Sequence, residues 1–234
     1  MKKLLLFLLL LAPVLINAQN LQLHYDLGRN NYSKGTNYGF FTTTLEMFKP
    51  DSLGSTFWFV DMDYRTDKGS IRAAYWEIAR ELNISKNFPL QLHLEYNGGL
   101  FLDDAFGGGG INHIWLIGVN YPFMIGNAAF STYATYNYIS GNTQGADFQW
   151  TGVWNVPFLK KFMFSGFVDL WSTDNFNSSG TRDGKQMIFL TEPQLWYSLN
   201  RSFSIGAEVE ISRNFVFGEE DVQVYPTIAV KWNF

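Results

Sequence analysis

Ten carboxylates fall on the polar side of segments in which apolar and polar residues take turns: Glu46, Asp61, Asp63, Glu77, Glu95, Asp147, Asp169, Glu192, Glu208 and Glu210. One clear base, Lys231, shares that side, and Arg72 and Arg80 join it depending on how residues 71–83 fold. Phe57, Phe59, Tyr133, Phe167, Trp171, Trp196 and Tyr225 have the same parity as the acids. Such a face repels phosphorylated and carboxylated molecules and admits neutral or cationic ones. Its rings suit stacking on a planar polar solute such as a nucleoside or a sugar. In a dry core, unpaired carboxylates would each cost several kcal/mol, so a wet lumen is the expectation. The candidate lumenal, solute-binding set is Phe57, Phe59, Asp61, Asp63, Glu95, Asp169, Trp171, Glu208, Glu210 and Lys231. A barrel plugged by the same polar packing, conducting nothing, is the alternative.

Other chemistries find less support. The three histidines are His24, His93 and His113, and a hydrolase needs one beside a nucleophile with a third group orienting it. His93 lies two positions from Glu95 on one face, a contact that satisfies a histidine more often than it drives catalysis, and no serine stands in a nucleophile motif. The glycine run Gly107 to Gly110 lacks the Lys-Ser/Thr of a phosphate loop and reads as a surface turn. Asp103, Asp104, Glu219, Glu220 and Asp221 read as solvated loop charge rather than cation ligands. There is no cysteine, which removes disulfides and thiolate metal sites. No cofactor is implied and no enzyme activity is expected.

The elements that would position the acids are strands. Period-2 alternation is cleanest in Leu90 to Asn97, Phe203 to Ser212 and Val222 to Phe234. Weaker alternation adds strands near 21–27, 38–49, 55–64, 71–83, 111–121, 128–139, 146–156, 162–171 and 186–199, about twelve in total. The breaks between them alternate in length. Short ones are Pro50 to Gly54, Ile84 to Pro89, Pro122 to Asn127, Pro157 to Lys161 and Asn200 to Ser202. Mostly longer ones, rich in Gly, Asn, Asp and Ser, are Gly28 to Asn37, Arg65 to Ser70, Gly98 to Gly110, Ser140 to Gly145, Ser172 to Lys185 and Arg213 to Glu220. Short turns on one rim and long loops on the other mark a bacterial outer-membrane barrel, and an even strand count brings both termini to the short-turn rim. Ala73 to Leu82 has good helix formers, and a short helix there competes with the strand.

Met1 to Ala18 has Lys2 and Lys3, an apolar run from Leu4 to Leu11, Pro13, and small Ala18 before Gln19, which reads as a cleaved signal peptide. Residues 19–234 then form one barrel domain. Without Lys2 and Lys3, 15 basic residues face 21 acidic ones, a formal charge of −6 that makes nucleic acid an unsuitable partner. Alternation alone does not separate a membrane barrel from a soluble one. Trp58, Tyr64, Trp76, Tyr96, Trp115, Tyr121, Tyr138, Trp150, Trp154, Tyr197 and Trp232 fall mainly on apolar faces, many near strand ends, as interfacial girdles require. The last ten residues, YPTIAVKWNF, end on Phe234 with apolar residues at alternate positions, a pattern that resembles the C-terminal signal read by the barrel-assembly machinery. The expected location is the outer membrane of a Gram-negative bacterium, against lipid and lipopolysaccharide.

Three stretches carry a family likeness: GSTFWFVDMDY (54–64), FQWTGVWNVPF (148–158) and FSGFVDLW (164–171). With the twelve strands and terminal Phe234, they resemble the nucleoside-specific channel-forming outer-membrane proteins, the Tsx-like group, over most of residues 19–234. The resemblance implies a narrow, water-containing lumen that passes nucleosides along aromatic and ionisable side chains. It is a likeness of strand patterns and transfers no individual ligand residue.

Overall fold

The computed structural model describes residues 19–27, 40–65, 69–102, 107–177, 179–215 and 221–234, with the side chain of Asn112 left out. The expected signal peptide, residues 1–18, lies outside them, as do Asp103, Asp104, Glu219 and Glu220. The strands are β1 (Gln19–Asp26), β2 (Phe41–Asp51), β3 (Gly54–Arg65), β4 (Ser70–Asn83), β5 (Gln91–Phe101), β6 (Gly109–Ile125), β7 (Ala128–Ile139), β8 (Asp147–Phe158), β9 (Phe162–Phe176), β10 (Arg182–Thr191), β11 (Gln194–Ser198), β12 (Phe203–Arg213) and β13 (Gln223–Asn233). Strands next to one another in sequence pair antiparallel, except β10 and β11, which pair with β9 and β12 but not with each other, and β13 returns to β1 from Asn20↔Asn233 to Asp26↔Thr227. The sheet therefore has no free edge, which leaves no row of backbone groups unpaired in lipid.

The thirteen strands make a closed twelve-stave antiparallel barrel, because β10 and β11 are two halves of one stave. Both pair with β9 and with β12, and the registers Thr191↔Val168 and Gln194↔Ser165 keep one count across the gap. Pro193, which has no N–H to give to a ladder, follows Glu192 there. Opposite the gap stands Gly166, at φ 148°, where a Cβ would lie 2.4 Å from the Glu192 carbonyl oxygen. The close approach of the two backbones admits only glycine.

Residues 73–82 are strand throughout β4. Two flanking partners, with ladders from Gly54↔Leu82 on one side and Asn83↔Gln91 on the other, outweigh the local helix preference. Several expected breaks are shorter than the sequence pattern suggests. β6 runs through Pro122 to Ile125 and turns only at Gly126 and Asn127, and β9 continues to Phe176. Near a rim, water replaces the one ladder bond that a proline omits. Gln19 and Phe234 lie on the rim of these tight turns, where Phe234 N donates to Gln19 O at 3.2 Å.

The two faces of the wall are opposite in character. Outward residues include Trp115, Ile117, Ile228 and Val230, exposed by 58%, 52%, 54% and 50%. Inward residues include Gln22, His93 and Asn137, at 1%, 1% and 2%. A soluble barrel would reverse this distribution. Rings cluster near both ends of the outer wall: Phe123 on Phe130 and Phe203 on Trp232 toward the tight turns, Tyr25 on Phe41 and Tyr96 on Trp115 toward the other rim.

Candidate functional site in the barrel interior

Alternation along β3 turns Phe57, Phe59, Asp61 and Asp63 inward together. β2 supplies their hydroxyl donors: Thr44 Oγ1 donates to Asp61 at 2.5 Å and Thr42 Oγ1 to Asp63 at 2.7 Å. On β4 the Tyr75 hydroxyl donates to Glu77 at 2.7 Å, and on β8 Thr151 donates to Asp169 of β9. Glu192 enters from the β10–β11 gap and is within electrostatic reach of Glu208, Glu210, Asp61 and Glu77. Asp61, Glu77, Asp169, Glu192 and Glu208 stand deep in the barrel, yet each keeps an intermediate exposure. Each therefore keeps surface that water can reach.

Other parts of the interior are packed shut. His93 lies between Glu81 (2.6 Å to Nδ1) and Glu95 (3.0 Å to Nε2) and stacks on Tyr133 with ring centroids 4.1 Å apart. His24 has Thr227 Oγ1 at 3.1 Å from Nδ1 and Gln22 Oε1 at 3.0 Å from Nε2. That is a hydroxyl, an imidazole and an amide in line, but at 4% exposure the ring is sealed beneath Trp196. Trp196 is itself capped by Lys231, whose Nζ lies 3.9 Å from the ring centroid. Lys231 is thus inward, as its parity requires, with its cation on an aromatic face rather than on an acid.

A third group occupies the loop-side rim. Lys185 Nζ reaches Asp147 at 2.9 Å and Asp174 at 2.8 Å, and Arg182 Nε lies 3.1 Å from Asp174. Thr143 N and Gln144 N also donate to Asp174, at 2.7 and 3.2 Å. Alternation leaves Lys185 in a loop and gives no sign of this clamp. Its residues are far apart in the chain, and no periodicity links them.

The structure brings Asp61, Asp63, Phe57 and Phe59 onto one stretch of wall, with Phe59 6.0 Å from Tyr75. Glu95 is held by His93 and Asn97, and Glu208 by Gln194, with His24 3.9 Å away. Glu210 accepts from Ser212 Oγ at 3.0 Å. Trp171 does not join the Phe57–Phe59 pair and packs edge-on against Phe215 at 5.8 Å. Arg80 departs from the expectation that it adds a base to the lumen. It shares the outward parity of Ile78 and pairs with Asp51 at 2.5 Å beside the β2–β3 turn, where its long stem reaches the interface. Among the described residues, no group of three His or carboxylate side chains is arranged to hold a metal ion.

A protein family described as a domain of unknown function, DUF5020, matches residues 18–234. No curated protein matches the sequence. Among solved structures, the NanC porin is similar at 13% identity, covering 93% of this chain and all of that one with a TM-score of 0.56. The KdgM porin follows at 10% identity, 92% and 99% coverage and 0.51. The outer membrane phospholipase (OMPLA) dimer of Salmonella typhi, with bound calcium, is similar at 12%, 93% and 90%, and 0.55. At these identities the likeness is one of fold. With its apolar outer belt, the barrel is of the outer-membrane, Gram-negative kind.

Proposed function

We propose that this chain, which belongs to the DUF5020 family, is an outer-membrane channel for passive diffusion of small polar solutes, anions being disfavoured and nucleosides being the first solute to try. The observation that carries the reading is the set of deep, unsealed carboxylates, Asp61, Glu77, Asp169, Glu192 and Glu208, on the inner wall, with Lys231 within electrostatic reach of Glu208. Acids in a low-dielectric tube favour cations and neutral molecules over phosphates. Phe57, Phe59 and Tyr75 supply ring faces beside them, which supports a stacking solute and the Tsx-like likeness of the sequence. Export through the signal peptide 1–18, and recognition of the exposed Ile228, Val230, Trp232 and Phe234 row by the barrel-assembly machinery, belong to the same proposal.

Planar-bilayer recording of the refolded protein tests it. Cation-selective steps that adenosine or uridine reduces on entering the lumen are the expected result, and absence of any step defeats the channel. A second reading, a non-conducting barrel that acts through its loops, is favoured by the sealed Gln22, His93, Asn137 and Thr151. The same absence of current would support it.

A further inference from the structure

Asp61, Glu77, Asp169 and Glu192 have no ion pair among the described residues, whereas Asp51, Asp147 and Asp174 near the rims each hold an Arg or a Lys. The four come from β3, β4, β9 and the β10–β11 gap. Glu77 nevertheless feels Asp61 and Asp169, and Glu192 feels Asp61 and Glu77. Hydroxyls serve three of them, Thr44, Tyr75 and Thr151, and a hydroxyl fills a lone pair without cancelling charge.

A separate observation has the same sense. Among the described residues, the buried side-chain atoms without a partner are three acceptors of the interior, Asn97 Oδ1, Asn120 Oδ1 and Glu81 Oε2, and one donor, Trp154 Nε1, on the outer wall. Asn97 is 6% exposed and stands directly across the ladder from Glu77. Its Nδ2 donates to Glu95 at 2.8 Å, so the amide lies against the acidic wall with its oxygen unfilled. Leaving a buried acceptor unfilled costs about 1–3 kcal/mol. Rings complete the surroundings, since Phe59 is the cross-strand neighbour of Glu77 and Tyr75 that of Asp61. Aromatic faces attract cations.

Charge without a base, acceptors without donors and ring faces all want one thing: a positively charged group with several N–H bonds. We infer that this stretch of the lumen binds an organic cation carrying ammonium or guanidinium groups. A single metal ion fits less well, because the acceptors do not converge on a point. An extended diamine carries separated charges, as do the acids spread over β3, β4, β9 and the β10–β11 gap. The inference names a solute class for the proposed channel and rests on that reading for the route of access, but binding is measured without conduction.

The experiment is calorimetric titration of the refolded barrel in detergent micelles with 1,5-diaminopentane and, separately, with uncharged 1,5-pentanediol of the same length. Saturable binding of the diamine alone is expected. Glu77→Gln and Asp169→Asn should each weaken it about tenfold, the worth of one charge-assisted hydrogen bond, and Asn97→Leu a few-fold. Asp51→Asn at the exposed turn should leave it unchanged. Equal binding of the diol, no saturable diamine binding, or Asp169→Asn and Glu77→Gln proteins as tight as the parent would overturn the inference. Should one variant not fold, the other carries the same test. Diamine binding without bilayer current would remove the channel and keep the site, whereas current without diamine binding would do the reverse.

Discussion

Asp174 and Asp169 sit five residues apart on β9, yet they live in different chemistry. Asp174, with a fully buried side chain, receives Lys185, Arg182 and two backbone N–H groups. Asp169, half-buried in the middle of the tube, receives hydroxyl and amide donors and lies within reach of further acids. The rim spends charge on structure, pinning residues 141–147 to the β9–β10 end. The middle leaves charge unmatched, a state that costs stability and so points to a role in recognition.

Removing each acid separates these roles most sharply. Asp174→Ala strips an anchor from four donors and should cost about 2–3 kcal/mol, less than a fully buried pair because the rim is partly screened. Asp169→Asn keeps the shape and a bond to Thr151 while deleting repulsion, so its stability should equal or exceed the parent's. Urea unfolding of both proteins in lipid vesicles checks the pair, and a loss for Asp169→Asn as large as that for Asp174→Ala would erase the distinction. Ile228→Arg, on the lipid side of β13, calibrates the scale with an expected loss of about 2 kcal/mol from placing a charge in hydrocarbon.

The distinction between the two regions was only half legible in the sequence. Parity along single strands placed Asp61, Asp63, Glu95, Asp169, Glu208 and Glu210 on the inner face, because a two-residue repeat is a property of the strand itself. What parity lacks is the tilt and stagger of the wall, which decide who meets whom across the tube. Lys185 meets Asp147 across 38 positions, and His24 meets Thr227 across 203. The pairing of Lys231 with Trp196 was hidden for the same reason, as was the separation of Trp171 from Phe57 and Phe59. Breaks drawn at Pro122 and Ser172 failed differently, since a closed wall holds residues in strand that local composition assigns to turns.

Conduction gives the next measure. In a bilayer with a salt gradient, Asp61→Asn and Asp169→Asn should each lower the cation-to-anion permeability ratio several-fold, because each removes a charge from a low-dielectric passage. Asp183→Asn, on the exposed loop-side end of β10, should leave the ratio where it was. Equal shifts from inner and rim substitutions would mean that the whole surface, not the mid-lumen, sets selectivity.

The smallest expected effect has the opposite sign. Lys231 is the lumenal lysine that faces the acids, within electrostatic reach of Glu46 and Glu208, and its ammonium is held over Trp196. Lys231→Met fills the same volume above the indole and removes the charge. Cation preference should then rise about twofold, the scale of one screened charge, while stability falls by no more than about 1 kcal/mol for the lost cation–π contact. Reversal potentials and urea midpoints read the two quantities on one sample. A fall in cation preference would show that Lys231 organises the acids of the passage rather than opposing them, and the middle of the tube would then resemble its rim.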